Sequence, residues 1–220
     1  MEYIQAIHNL LFPTKDLCYF CREKSYSIEK FICSNCQGLM EVLNREVIMD
    51  SPYIETVYYA LMYNRFIRQI VGDFKFNGKS YLYKPLGEIM INLIKDKGIG
   101  DIDIILFVPS HRRKEAVRGY NQAELLARYI AKSLDIPISY NNLVKIKHTK
   151  DQSSLDKYNR MDNLKDVFKI KDKEEIYNKR ILLVDDIITT GSTMIECAKI
   201  LIKNEAREVI GLALTSSKRV

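Results

Sequence analysis

The stretch Ile181-Leu182-Leu183-Val184-Asp185-Asp186-Ile187-Ile188-Thr189-Thr190-Gly191-Ser192-Thr193 decides the reading of this 220-residue chain. Four apolar residues of strand type lead to two adjacent carboxylates. A turn of small hydroxyl residues and glycine follows, and a helical pattern runs from Ser192 to Asn204. In open α/β sheets the ligand crevice lies at the carboxyl ends of the strands, where Asp185 and Asp186 are expected. The N–H groups at a helix start have no intrahelical partner, so this turn can hold a phosphate. Thr189, Thr190, Ser192 and Thr193 add hydroxyl donors, and Gly191 allows close backbone approach with an unusual φ. Two carboxylates beside a phosphate would repel it unless they accept hydrogen bonds from vicinal hydroxyls, directly or through a divalent cation. Phosphate plus diol is the outline of a ribose 5-phosphate. An ordinary helix cap at Asp186 accounts for one of the acids but not for both. Neither GxxxxGK[ST] nor GxGxxG occurs in the chain.

Outward from this segment, apolar strand patterns alternate with helical ones. Strands are expected at Ile102–Val108, Leu143–Ile146, Ile181–Val184 and Val209–Leu214. Helices are expected at residues 86–94, with Pro85 in the first turn and Gly98 beyond the end, and at Asn121–Leu134. Earlier in the chain, residues 38–49 read as a short helical connection and Tyr58–Ile70 as a helix. Lys75-Phe76-Asn77-Gly78-Lys79 reads as a turn, and Lys147–Asp162 as a polar loop. Strands buried on both faces and alternating with helices predict a mostly parallel sheet covered on both sides.

The amino-terminal part has a different chemistry. Cys18, Cys21, Cys33 and Cys36 form two CxxC pairs separated by eleven residues. Two such knuckles can close a tetrahedral four-sulfur shell around zinc, and the segment has little apolar material for a core of its own. Two disulfides or an iron–sulfur cluster are the competing uses of these thiols. Four thiolates leave no open coordination position, so such a metal is structural. Cys197 falls on the apolar stripe of the last helix and reads as a core thiol.

These landmarks together resemble one family. Val184–Thr193 looks like the phosphoribosyl-pyrophosphate signature of type I phosphoribosyltransferases. The whole chain is similar to the ComF/GntX family of competence-associated phosphoribosyltransferase-like proteins. The likeness rests also on the four-cysteine module and on Arg118-Gly119-Tyr120-Asn121-Gln122, which matches RGFNQ with Tyr in the Phe position. Lys147, Gln152, Leu155 and Arg160 fit a further K…Q…L…R pattern. The resemblance implies an α/β, type I phosphoribosyltransferase fold with a mostly parallel sheet over residues 50–220, after a small zinc-ribbon-like domain over residues 1–45. It implies binding of phosphoribosyl pyrophosphate with magnesium and transfer of the phosphoribosyl group to an unknown acceptor. Asp185 and Asp186 would contact the ribose hydroxyls and the cation. Thr189, Thr190, Gly191, Ser192 and Thr193 would hold the 5-phosphate. Pro109, Ser110, His111, Arg112, Arg113 and Lys114 lie where the pyrophosphate loop belongs. Arg118, which the resemblance gives a catalytic role, and Gln122 are four apart and can share a face towards the crevice, while Asn121 can cap the helix. Lys147–Arg160 would supply a mobile hood that excludes water.

The balance of the chain agrees with a soluble globular protein, and its formal net charge of +6 favours polyanionic partners. No signal-peptide pattern opens the sequence and no run of eighteen apolar residues occurs, so a cytoplasmic location without membrane insertion is expected. The family's association with DNA uptake during natural transformation makes single-stranded DNA or DNA-uptake proteins possible partners. The basic clusters at His111–Arg118 and Lys145–Lys150 lack the interleaved aromatics of a base-stacking platform. No general base stands out, because the two positions after the acids are Ile187 and Ile188. A non-catalytic phosphoribosyl-pyrophosphate- or DNA-binding accessory protein is therefore the alternative to a transferase.

Overall fold

A computed structural model describes residues 17–147 and 167–217. The Gln152, Leu155 and Arg160 positions of the expected hood, and the first sixteen residues of the expected amino-terminal domain, lie outside the described residues. The core is a five-stranded sheet in the order β3-β4-β9-β8-β5. Its strands are β3 (Val42–Ile48), β4 (Thr56–Met62), β5 (Ile104–Phe107), β8 (Arg180–Ile188) and β9 (Glu208–Ser216). Three of its pairings are parallel, and only the edge pair β3–β4 is antiparallel, so the expected mostly parallel sheet is present.

Both faces are covered. On one, Phe107, Leu182, Val184, Leu212 and Leu214 share a buried core with α2 (Arg65–Phe76), α3 (Tyr83–Asp96) and α5 (Gln122–Leu134). On the other, Ile104, Leu106, Ile181, Leu183 and Ala213 pack with α6 (Ser192–Lys203) and with β7 (Phe168–Ile170), which pairs with β6 (Leu143–Lys145). Successive strand residues point to opposite faces, so a strand between two helix layers must be apolar at every position. The Ile181–Val184 run meets that demand, and all four residues are buried.

Two expectations are corrected. Residues 38–49 form no helix beyond α1 (Ser34–Gly38); Val42–Ile48 is the edge strand β3. Its sequence carries no strand alternation because most of its residues are exposed, and charge on an edge strand discourages pairing with other chains. Tyr58–Ile70 is no single helix either. Thr56–Met62 is a strand with Val57, Tyr59, Ala60 and Leu61 all buried, and periodicity alone does not separate such a run from a buried helix. The helix begins after Asn64, whose side chain accepts a 2.9 Å hydrogen bond from the Ile67 N–H as an N-cap. Ile67, Ile70, Val71 and Phe74 then form its buried stripe.

The four-cysteine segment holds the short hairpin of β1 (Ile28–Glu29) and β2 (Ile32–Cys33), followed by α1. It packs on the sheet's helix layer. Phe20 meets Phe66 of α2 edge-on at 5.9 Å, and the Arg22 guanidinium lies 5.0 Å over the Tyr81 ring. Lys30 pairs with Glu88 of α3 at 3.0 Å, and Glu88 also accepts from the Tyr129 hydroxyl.

Candidate functional site

β8 does not stop at Val184 but continues through both acids to Ile188, paired with β9 as far as Ser216. The acids are therefore strand residues, and their carboxyls stay in contact while each reaches a different neighbour. Asp185 lies on the α6 side with the hydroxyl turn; together with Ile187, Thr189, Gly191, Ser192 and Thr193 it lines a small polar depression. Asp186 is buried on the α2 side, where its Oδ2 receives the Lys75 ammonium at 2.8 Å. The Asp186 N–H donates to Asp185 Oδ1 at 2.8 Å, so the first acid also satisfies the backbone of the second.

The turn has the geometry its sequence requires. Gly191 is the N-cap of α6 with φ +81°, a left-handed conformation that a side chain disfavours. A second constraint acts at the same point. A Cβ on Gly191 would run into the Met49 methyl group, so this buried methionine after β3 closes one side of the turn. The Thr190 and Ser192 hydroxyls share a 2.8 Å hydrogen bond, and the Ser192 N–H faces Thr190 Oγ1 at 3.4 Å. Hydroxyls and amide donors thus converge at the start of a twelve-residue helix.

The segment after β5 emerges beside the β8 acids, because β5 and β8 are neighbours with Phe107 opposite Val184. Pro109, Ser110 and His111 line a larger cleft with Glu115, Tyr140, Asn141 and Lys145. The basic run is not an open loop: Arg112–Arg118 forms the helix α4, with the Ser110 hydroxyl donating to Glu115 Oε1 at 2.7 Å. This places the backbone of Arg112, Arg113 and Lys114 in the first helical turn.

Arg118 and Gln122 meet, as their spacing suggests, with Arg118 Nη1 donating to Gln122 Oε1 at 3.3 Å. Asn121 caps α5 by accepting from Ala123 N–H, and its amide donates to the Val108 carbonyl at 3.1 Å, fastening the helix start to the end of β5. Gln122 Nε2 and the Tyr120 hydroxyl both donate to the Phe74 carbonyl, at 3.2 and 2.7 Å. The Arg118 guanidinium covers the Phe76 ring at 4.8 Å. Lys147 is exposed beyond β6 and does not line the polar depression. Lys75 and Met49 were not singled out by sequence reasoning as site residues, since each reaches the site from another element.

The four cysteine sulfurs lie within 4.8 Å of one another, with Cys21 and Cys33 at 3.9 Å. A tetrahedral zinc–thiolate shell with bonds near ~2.3 Å needs sulfurs about 3.8 Å apart. All five cysteines are free, so the disulfide alternative is not what the structure shows. The Cys33 N–H donates to Cys18 Sγ at 3.4 Å, the usual support of a thiolate ligand. Burial and the Asp185 charge hold the Cys197 thiol well above its ordinary range, as befits a core thiol.

Burial first, and the Asp186 charge second, push the Asp185 carboxyl up to about 8, against the opposing pull of Lys75. A carboxyl raised in the folded state binds its proton more tightly there than in the unfolded chain. Stability therefore falls as pH rises from the unfolded value near ~3.9 towards the folded one. Asp185→Asn (D185N) removes this liability. Its melting temperature relative to the natural protein should climb steadily between pH 5 and pH 8 in scanning calorimetry. An offset independent of pH would contradict the assignment.

Residues 120–220 match the phosphoribosyl transferase domain family. The chain is 32% identical to Competence protein F of Haemophilus influenzae over 87% of this chain and 93% of that protein. It is 28% identical to Competence protein ComFC of Bacillus subtilis over 94% of this chain and 87% of that protein. Among solved structures it is similar to a purine phosphoribosyltransferase from Pyrococcus horikoshii, at 16% identity and a TM-score of 0.35 over 61% of this chain and 82% of that one.

Proposed function

The chain belongs to the competence protein F family, and from that premise we propose that it binds phosphoribosyl pyrophosphate with magnesium and transfers the phosphoribosyl group to an acceptor. The observation that carries this is the depression in which Thr189, Gly191, Ser192 and Thr193 share a wall with the Asp185 carboxyl at the start of α6, with the Thr190 hydroxyl bonded to that of Ser192 at its edge. The turn's amides and hydroxyls hold the 5-phosphate, and the helix start supplies favourable partial charge. Asp185 and Asp186, whose carboxyls meet at the end of β8, accept the ribose hydroxyls. Ser110 and His111, in the cleft after the neighbouring strand β5, would meet the departing diphosphate, as the family's pyrophosphate loop does. Magnesium, when bound, would offset diphosphate charge. Arg118 and Gln122 fix the α5 start against the end of α2. The protein's contribution is positioning and charge compensation at the anomeric carbon.

The cysteine cluster holds one structural zinc ion, and the transferase part begins with β3 (Val42–Ile48), which belongs to its sheet, rather than at residue 50. A cytoplasmic site of action agrees with the lack of any membrane-crossing helix among the described residues. The relatives' names connect the family with competence, which makes single-stranded DNA or the uptake apparatus the expected context. Ile187 and Ile188 follow the acids, where no side chain can take a proton from the acceptor. That favours, as the second reading, a phosphoribosyl-pyrophosphate-binding or DNA-binding accessory protein. Isotope exchange of pyrophosphate into phosphoribosyl pyrophosphate separates the two.

Thr190→Val (T190V) should keep the fold and weaken phosphoribosyl pyrophosphate binding by about 1.5–3 kcal/mol, the worth of a hydrogen bond to a charged group. Calorimetric titration with magnesium checks it, and unchanged affinity in the folded variant places the phosphate elsewhere. For the cysteine cluster, elemental analysis should find one zinc per chain in the natural protein and loss of it in Cys33→Ser (C33S). Stoichiometric zinc retained in that variant would reject the ligand set.

A further inference from the structure

The turn Lys75-Phe76-Asn77-Gly78-Lys79 has no part in the function proposed above, yet it ends α2 directly against the site. The three consecutive residues Phe74, Lys75 and Phe76 touch four side chains of the site. The Phe74 carbonyl accepts from Tyr120 and Gln122, the Lys75 ammonium sits 2.8 Å from Asp186 Oδ2, and the Phe76 ring lies under the Arg118 guanidinium. The helix end is itself clasped. Asp73 accepts from Lys79 Nζ at 2.9 Å and from Asn77 Nδ2 at 2.7 Å, and Gly78 takes φ +66° to let the chain turn back. Lys79 is thereby engaged with Asp73, while Lys75 meets a carboxylate from the far strand. Both partners of that pair are largely covered, at 21% and 10% side-chain exposure. An ion pair this enclosed is fixed in geometry and is unlike the exposed pairs that contribute little.

We infer that Lys75 is a positioning residue of the ribose-phosphate site, holding Asp186 so that its second carboxylate oxygen accepts a ribose hydroxyl. The inference rests on the ribose-phosphate reading of the site. The ammonium engages Oδ2 from the α2 side and fixes the plane of the carboxylate. The sugar then meets a preoriented acceptor, and the clasp of Asp73 with Lys79 keeps α2 from drifting away from β8. Lys75 contacts Asp186 and not the phosphate turn, so its removal weakens recognition of the sugar more than recognition of phosphate alone.

The experiment is calorimetric titration of the full chain with ribose 5-phosphate and, separately, with inorganic phosphate, at fixed ionic strength. Lys75→Gln (K75Q) should lose roughly tenfold or more in affinity for ribose 5-phosphate, with a clearly smaller loss for inorganic phosphate. Lys75→Arg (K75R) keeps the charge and should recover part of the loss. An unchanged ratio of the two affinities overturns the inference, whether both stay at the natural values or both fall together as a general loosening would make them. Those outcomes leave the ribose-phosphate reading standing. Failure of the natural protein to bind ribose 5-phosphate overturns both. If K75Q does not fold, the natural protein decides by acetylation of Lys75 read by mass spectrometry. Ribose 5-phosphate should slow that labelling while inorganic phosphate does not, and equal rates with the two ligands overturn the inference.

Discussion

Two carboxylates on consecutive residues at the end of a buried strand must be compensated, and much of the site's architecture follows from that demand. Charge at such a place is costly to remove from water unless hydrogen bonds and counter-charges replace the lost hydration. The chain meets the cost differently for the two acids. Asp186 receives a lysine from a packed helix. Asp185 bonds to the following amide and otherwise opens on the polar depression, with its carboxyl pushed up by burial to about 8. A ligand that brings hydroxyls to both acids and an anion to the adjacent helix start completes this arrangement.

Helix α2 is the element through which distant parts of the chain meet. Near its start, Phe66 packs against Phe20 of the cysteine segment, and the capping Asn64 donates to the Leu39 carbonyl. At its end it carries the contacts to Tyr120, Gln122, Arg118 and Asp186. Its middle is bound by Ile67, Ile70, Val71 and Phe74 into the core that also contains Cys18, Cys33 and Cys36. The cysteine cluster is thus continuous with the core of the sheet's helix layer, which ties the packing at one end of α2 to the position of Lys75 at the other.

What could be read from residues alone follows a physical division. The Ile181–Thr193 segment is locally complete: apolar strand, acids, glycine turn and helix start are adjacent in sequence, and each imposes its own conformation. The same is true of Asn121, which caps a helix beginning beside it, and of the four cysteines, whose spacing alone brings them together. Edge strand β3 was illegible because its partner is distant and its surface is exposed; β4 was illegible because burial on both faces erases alternation. The strand was expected to end at Val184, and β8 continues through both acids to Ile188, because pairing with β9 extends as far as Ser216. Lys75 and Met49 reach the site only through the packing of α2 and the path after β3, and nothing in their local sequence marks them.

The central claim is that the turn from Thr189 to Thr193 is a phosphate cradle with the ribose acids beside it. Amide nuclear magnetic resonance of the full chain during titration with ribose 5-phosphate tests it most directly. The account predicts saturating shifts centred on the Gly191, Ser192 and Thr193 amides, with a second set at Asp185 and Asp186. Titration with ribose lacking the phosphate should leave the first set unmoved. Saturating shifts confined to residues 112–118, with the 189–193 amides unchanged, would contradict it.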